Sequence, residues 1–311
     1  MIEKSIQSKI LEKYNVSESD LIGWGTEAQV YSYHEGKVLK LYNDISCLNK
    51  QKILKKFYET VDSQYVSYEL PHIYDIIDDE DTVITIEKRV EGNNLQKLLH
   101  QFNNEQLNNL FKTYLAASLE LQNVKINSAF TGCKLFNDYC ITSTEYKDWH
   151  SFLKQFLICR QEGLQDYFSR DVLNYNGKFK LLTDILSVKY EGEYSLIHGD
   201  FYPGNLLINE EGRITGLIDF GIMTMYGDYL FDIATSWVFF DMYDDLKANI
   251  LERYLHVITE NLGDGIKEKL YLYVLVYSMF SANFYNKDCS DGHYQWCVHN
   301  LNNEAYWKGL I

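Results

Sequence analysis

The spacing of apolar positions changes along the chain. Up to about residue 90 they come in short β-favouring runs, Leu21–Trp24, Ala28–Tyr33 and Lys37–Tyr42, joined by glycine-bearing turns. That pattern predicts three strands, with His34-Glu35-Gly36-Lys37 as a hairpin turn between two of them. Leu48 to Val61 predicts a helix. Two further strands, His72–Ile77 and Thr82–Lys88, flank the acidic turn Asp78-Asp79-Glu80-Asp81. At the start, Ile2, Ile6, Ile10 and Leu11 recur at helical spacing. The segment Val90 to Leu95 then breaks the strand pattern and places a boundary between residues 1–90 and 91–311. Beyond it, apolar spacing near 3.6 predicts helices over 106–122, 151–167 and 179–190. Short strands interrupt near residues 196–219, and helices resume at about Leu230 and run to the end. The longest apolar run, Leu270 to Phe280, is too short to span a bilayer and predicts a buried helix.

The chemistry concentrates in the interruption, which reads LIHGDFYPGNLLINEEGRITGLID and continues as Phe220-Gly221. It holds His198-Gly199-Asp200, then Asn205 five positions later, then Asp219-Phe220-Gly221 after a hairpin-like stretch. Phosphoryl transfer from a nucleotide needs one carboxylate to receive the acceptor's proton. It also needs an amide oxygen and a second carboxylate to hold Mg²⁺ on the phosphates. Three linked elements in this order are far more specific than an isolated HGD or DFG, since Asp and Asn beside Gly or Pro ordinarily mark turns.

HGDFYPGN followed by IDFG resembles the signature of the aminoglycoside phosphotransferase and choline kinase superfamily, a branch of the protein-kinase-like fold. Ordinary protein kinases usually carry arginine where Gly199 stands and more residues between the aspartate and the asparagine. Pro203 matches the small-molecule branch, and Gly227 to Ala234 resembles its GDxxxDLA segment. A protein kinase is disfavoured further, because no long activation segment or APE-like motif follows Gly221. The resemblance implies a two-lobed α+β fold, with a small, mainly β N-lobe that binds the nucleotide and a large, mainly helical C-lobe.

By the same resemblance Asp200 is the catalytic base, and Asn205 and Asp219 are the Mg²⁺ ligands. His198, Asp228 and Asp232 support the loop; the two aspartates also fit helix caps. Gly23-Trp24-Gly25 resembles the loop that covers the phosphates, with Ala28 where a third glycine is usual. Lys40 is the candidate lysine for the α- and β-phosphates, since a charge inside an apolar strand is expensive unless paired; Lys37 competes for the role. Glu59, or the position of Gln51, would supply the lysine's partner. The base of ATP or GTP would meet backbone groups near Glu87, Lys88 and Arg89.

Composition narrows the partners. Aspartate and glutamate number 44 against 29 lysines and arginines, a net charge of −15. That argues against nucleic acid and suits a cationic acceptor. Acidic residues beside aromatic faces hold organic cations, which nominates Asp241, Asp244, Asp245, Asp288, Asp291 and Glu304, with Trp237, Tyr243, Tyr285, Tyr294, Trp296 and Trp307 nearby. Charge runs are otherwise solvated helix faces. Six cysteines, with no CxxC, read as reduced packing residues in a cytoplasmic protein. The first residues lack the apolar region of a signal peptide, and no membrane partner is expected. Three functions stay open: an aminoglycoside kinase, a kinase for choline, a sugar or another small alcohol, and a non-catalytic nucleotide-binding relative. The intact Lys40, Asp200, Asn205 and Asp219 set counts against the last.

Overall fold

Alternation along the strands decides what each face of the first sheet meets. In this computed structural model residues 4–24, 27–79, 82–126, 133–136, 148–242 and 249–310 are described. Strands β1 (Leu21–Trp24), β2 (Ala28–Ser32), β3 (Lys37–Tyr42), β4 (Ile73–Asp79) and β5 (Thr82–Lys88) form an antiparallel sheet in the order β1-β2-β3-β5-β4. Successive side chains of a strand point to opposite faces. Leu39 and Leu41 of β3, with Tyr31 and Ile84, are buried together with Ile10 and Leu11 of helix α1 (Lys4–Lys13). Lys40 and Tyr42 of β3 therefore face the other way, into a cleft. Helix α2 (Cys47–Thr60) contributes Leu54 and Phe57 to the large core shared with the rest of the chain.

The second lobe begins with β6 (Asn93–Asn94), α3 (Leu95–Leu98) and α4 (Asn104–Leu121), the last opened by an Asn103–Gln106 capping box. Helices α5 (Trp149–Gln161), α6 (Gln165–Asp171) and α7 (Tyr175–Ile185) follow. The hairpin β8 (Leu206–Ile208) and β9 (Ile214–Leu217) carries the catalytic-type segment. Strand β7 (Ser195–Ile197) pairs with β10 (Met225–Gly227) beneath it. Helices α8 (Leu230–Phe239), α9 (Ile250–Leu262), α10 (Lys267–Ser281), α11 (Gly292–Asn302) and α12 (Glu304–Lys308) close the chain. The fold is the two-lobed α+β arrangement the sequence implies.

The apolar run from Leu270 lies in α10 and is buried almost throughout. Among the described residues no helix is long and apolar enough to cross a membrane. The helix predicted over 151–167 is instead two, interrupted at Gly163, where the chain turns on two short backbone bonds to Arg160 and Gln161. Cys47, Cys133, Cys289 and Cys297 are free thiols, but Cys159 is disulfide-bonded, which corrects the all-reduced reading.

Candidate active site

Two short strands hold the loop between β7 and β8 by its ends, and the residues inside it are fixed by buried hydrogen bonds. The Asp232 carboxylate, in the first turn of α8, accepts from the backbone N–H of His198 at 2.7 Å and of Gly199 at 2.8 Å, one on each oxygen. His198 is buried. Its Nε2–H donates to the Ile218 carbonyl at 2.9 Å and its Nδ1 accepts from the Asp200 N–H at 3.3 Å. Both ring nitrogens are thereby assigned in the neutral tautomer, and burial lowers its pKa to about 4. The imidazole ties the loop to the residue before Asp219 and carries no proton between groups. From α4, the Tyr114 hydroxyl donates to the Phe201 carbonyl at 2.7 Å. Asp228 caps α8 through the Leu230 N–H at 3.1 Å and takes Tyr273 and Lys269 at 2.8 and 3.0 Å.

This bracing gives a direct expectation. An Asp232→Asn side chain keeps one acceptor but turns an N–H₂ donor towards either the His198 or the Gly199 amide. A buried donor left facing a donor costs on the order of 1–3 kcal/mol, plus the lost charge-assisted bond. Denaturant unfolding should show a loss of about 3 kcal/mol, and unchanged stability would remove Asp232 from its bracing place.

Asp200, Asn205 and Asp219 meet in a cleft of about 1090 Å³ between the first sheet, α2 and the second lobe. The Asn205 Nδ2 donates to the Asp200 carbonyl and to its Oδ2, both at 2.9 Å. Burial raises Asp200 to about 6; the Asn205 bond lowers it and the Asp219 charge raises it further. Asp219 has a left-handed backbone (φ 62) and lies 3.6 Å through Oδ1 from Lys40 Nζ. Aspartate tolerates that conformation better than bulkier residues. Phe220 packs on His198 at 4.5 Å and on Phe57 and Tyr58 of α2 at 5.7 and 6.0 Å between ring centroids.

Lys40 pairs with Glu87 of β5, Nζ to Oε2 at 3.0 Å. Burial alone would lower its pKa, but the Glu87 and Asp219 carboxylates outweigh that and hold it well above the ordinary lysine value. Glu59, expected as its partner, is exposed on α2. Gln51 is 1 % exposed and lines the cleft, with its Oε1 lacking a donor. Near the glycine loop, Lys50 of α2 holds Glu27 at 2.6 Å, and Glu27, Ala28 and Val30 reach the cleft. Gly23 sits in β1 with open space where a Cβ would go, and Gly25 lies outside the described residues. Of the three residues expected near the nucleotide base, Glu87 alone lines the cleft. The Lys88 and Arg89 amides donate to His72 and Gly36 carbonyls, and the Arg89 side chain turns to Ser32 and Glu91.

Of the acceptor residues named from the sequence, Tyr285 lines the cleft, whereas the carboxylates among the described residues are not part of its lining. Asp241 is exposed at the end of α8, and Asp244 and Asp245 lie outside the described residues. Glu304 pairs with Lys178 at 3.3 Å beside α12. Trp296 is buried against Phe239 and Tyr277, one layer behind the cleft wall. The far end of the cleft is lined by Lys134, Arg160, Tyr277, Asn283, Tyr285 and Lys287. No cluster of three or more His, Cys, Asp or Glu able to hold a metal occurs among the described residues. One carboxylate and one amide oxygen suffice where substrate phosphates complete a Mg²⁺ shell. Asp219 offers that carboxylate. Asn205 spends its Nδ2 on Asp200, so the amide oxygen of this pair would be its Oδ1.

Residues 153–264 match the model of the Phosphotransferase enzyme family. Over that stretch, about a third of the chain, the protein is similar to this family. Its fold is similar to that in the gentamicin complex of APH(2'')-IIa, with TM-score 0.64, 19% identity and coverage of 100% of this chain and 99% of that one. It is similar also to ADP-bound aminoglycoside phosphotransferase APH(2'')-Ib, with TM-score 0.62, 18% identity and full coverage of both. The GDP complex of aminoglycoside 2'-phosphotransferase-IIIa matches with TM-score 0.58, 16% identity and coverage of 98% and 100%.

Proposed function

We propose that this protein is a phosphotransferase that moves the γ-phosphoryl group of ATP or GTP to a hydroxyl of a small molecule, and that an aminoglycoside is its acceptor. The observation that carries the transfer is the convergence of Lys40, Asp200, Asn205 and Asp219 on one cleft, linked by contacts of 2.9 to 3.6 Å. Lys40 binds the phosphates, and Asn205 and Asp219 hold Mg²⁺ on them. Bound there, Mg²⁺ neutralises charge on the phosphate oxygens. Asp200 accepts the proton of the acceptor hydroxyl as its oxygen bonds to the γ-phosphorus and the bond to the β-phosphate oxygen breaks, releasing the diphosphate. The Asn205 N–H fixes which Asp200 oxygen stays bound, so the other is left to face the hydroxyl. Positioning and charge neutralisation supply most of such a rate.

The aminoglycoside reading is supported by likeness over the whole chain to structures of aminoglycoside phosphotransferases. One observation favours a second reading, another small alcohol: Lys134, Arg160 and Lys287 stand at the far end of the cleft, where carboxylates were expected for a cation. Diphosphate release with Mg²⁺ and ATP or GTP, across aminoglycosides, choline and simple sugars, separates the two. Release stimulated at least tenfold by aminoglycosides is the expected result; stimulation only by an uncharged or anionic alcohol replaces that acceptor with the second class. The site is assigned to a cytoplasmic enzyme without nucleic-acid or membrane partners, in keeping with the acidic charge.

A further inference from the structure

The ion pair that fixes the phosphate lysine is built inside the sheet. We propose that Glu87, on β5, is the positioning residue that holds Lys40 for the nucleotide phosphates, and that α2 has no part in that task. The inference rests on the phosphotransfer reading of the cleft.

Register places the two together. In the β3–β5 ladder Lys40 stands opposite Thr85 and Val38 opposite Glu87, so Lys40, Thr85 and Glu87 share the cleft face. Diagonal neighbours across antiparallel strands are within reach of long side chains. Glu87 is itself fixed. Its Oε1 accepts from Thr85 Oγ1 at 2.6 Å and from the Tyr42 hydroxyl at 3.4 Å, leaving Oε2 for Lys40 at 3.0 Å. Glu87 is 4 % exposed, and a buried carboxylate persists only when paired and hydrogen-bonded. The helix offers no substitute, since Glu59 points to solvent and Gln51, the buried polar residue of α2 at the cleft, has no charge.

Hydrogen-bonded neighbouring strands move together, so the Lys40–Glu87 geometry survives displacement of α2. The helix connects to the site by other contacts: Phe57 and Tyr58 on Phe220, and Lys50 on Glu27. Without Glu87, Asp219 is the one carboxylate among the described residues within 4.0 Å of the Lys40 ammonium. The lysine would then draw Asp219 from the metal and sit displaced from the phosphates.

A double-mutant cycle tests this on the full chain with two readouts that need no known acceptor: calorimetric binding of Mg·ADP or Mg·GDP, and slow nucleotide hydrolysis, in which water takes the phosphoryl group. Glu87→Gln should weaken diphosphate binding about tenfold and slow hydrolysis roughly 10- to 100-fold, while Glu59→Gln changes either by less than twofold. In a Lys40→Met background, Glu87→Gln should add almost nothing, because its effect runs through the lysine. A purely structural role for Glu87 would give additive losses in the two backgrounds. Additivity, or a Glu59→Gln loss as large as that of Glu87→Gln, overturns the proposal while wild-type nucleotide binding preserves the phosphotransfer reading. Wild-type protein that binds neither diphosphate overturns both.

Discussion

An Asp200→Asn variant should lose turnover by roughly 10²–10⁴-fold, the range contributed by a positioned general base, which is about 3–5 kcal/mol of barrier. The substitution is nearly isosteric, so the loop should stand. Its backbone amide still donates to His198, the neighbouring amides still bind Asp232, and the Asn205 Nδ2 still reaches the residue 200 carbonyl. The diphosphate should therefore bind within about threefold of the parent affinity, since neither Lys40 nor Asp219 is altered. Initial-rate kinetics with the acceptor found in the panel, beside calorimetric titration with Mg·ADP or Mg·GDP, reads the two effects separately. Turnover within tenfold of the parent would take the base role from Asp200. Equal loss of turnover and of nucleotide binding would mean the substitution had disturbed the site as a whole.

Asp200, Asn205 and Asp219 were legible because they lie within twenty residues on one loop and hairpin, where local geometry alone brings them together. Lys40 was legible from energetics: a charge in an apolar strand demands a partner. The same argument applies to Glu87 in Thr-Val-Ile-Thr-Ile-Glu-Lys, yet the sequence reading used that residue only for its backbone. The missing step was register. Without the pairing of Lys40 with Thr85, nothing in the sequence puts residue 87 beside residue 40. Once the register is known, Thr85 opposite Lys40 puts Glu87, two residues further along β5, on the same face beside the lysine.

The acceptor end was not legible, and the reason is physical. An acidic side chain on a helix has several competing uses, and spacing does not choose between them. Asp291 caps α11 through the Tyr294 amide at 2.8 Å, and Glu304 balances the buried Lys178. The residues that do reach the far end, such as Lys134, Arg160 and Asn283, come from three separate segments and carry no shared motif. The split of the helix predicted over 151–167 has a similar origin. Apolar spacing continues across Gly163, but the backbone turns there and α6 starts as a separate helix at Gln165.

Gly199→Ala should be the most destabilising single substitution in the loop. Gly199 has φ +81, and a Cβ built there would meet the Met223 carbonyl oxygen at 1.8 Å and its carbon at 2.5 Å. Two separate costs follow, and a second glycine separates them. Gly36, in the β2–β3 turn, has φ +68 with nothing within 4 Å of a Cβ. Gly36→Ala therefore reports the conformational cost alone, about 1–2 kcal/mol. At Gly199 the obstacle is backbone, so segment 221–224 must move. That segment holds the Gly221 N–H to Thr224 Oγ1 bond at 2.9 Å and leads into β10. The total should reach about 4–5 kcal/mol, at the edge of what single substitutions cost, with Tm lower by roughly 10 °C. The arginine usual at this position in ordinary protein kinases would meet the same carbonyl, so Gly199→Arg should fare no better. Thermal unfolding of Gly199→Ala and Gly36→Ala side by side decides the matter. Equal losses would mean that the 221–224 segment yields freely and that the close approach does not fix the loop; a difference of about 3 kcal/mol would show that the glycine is required because the turn after Asp219 passes directly over it.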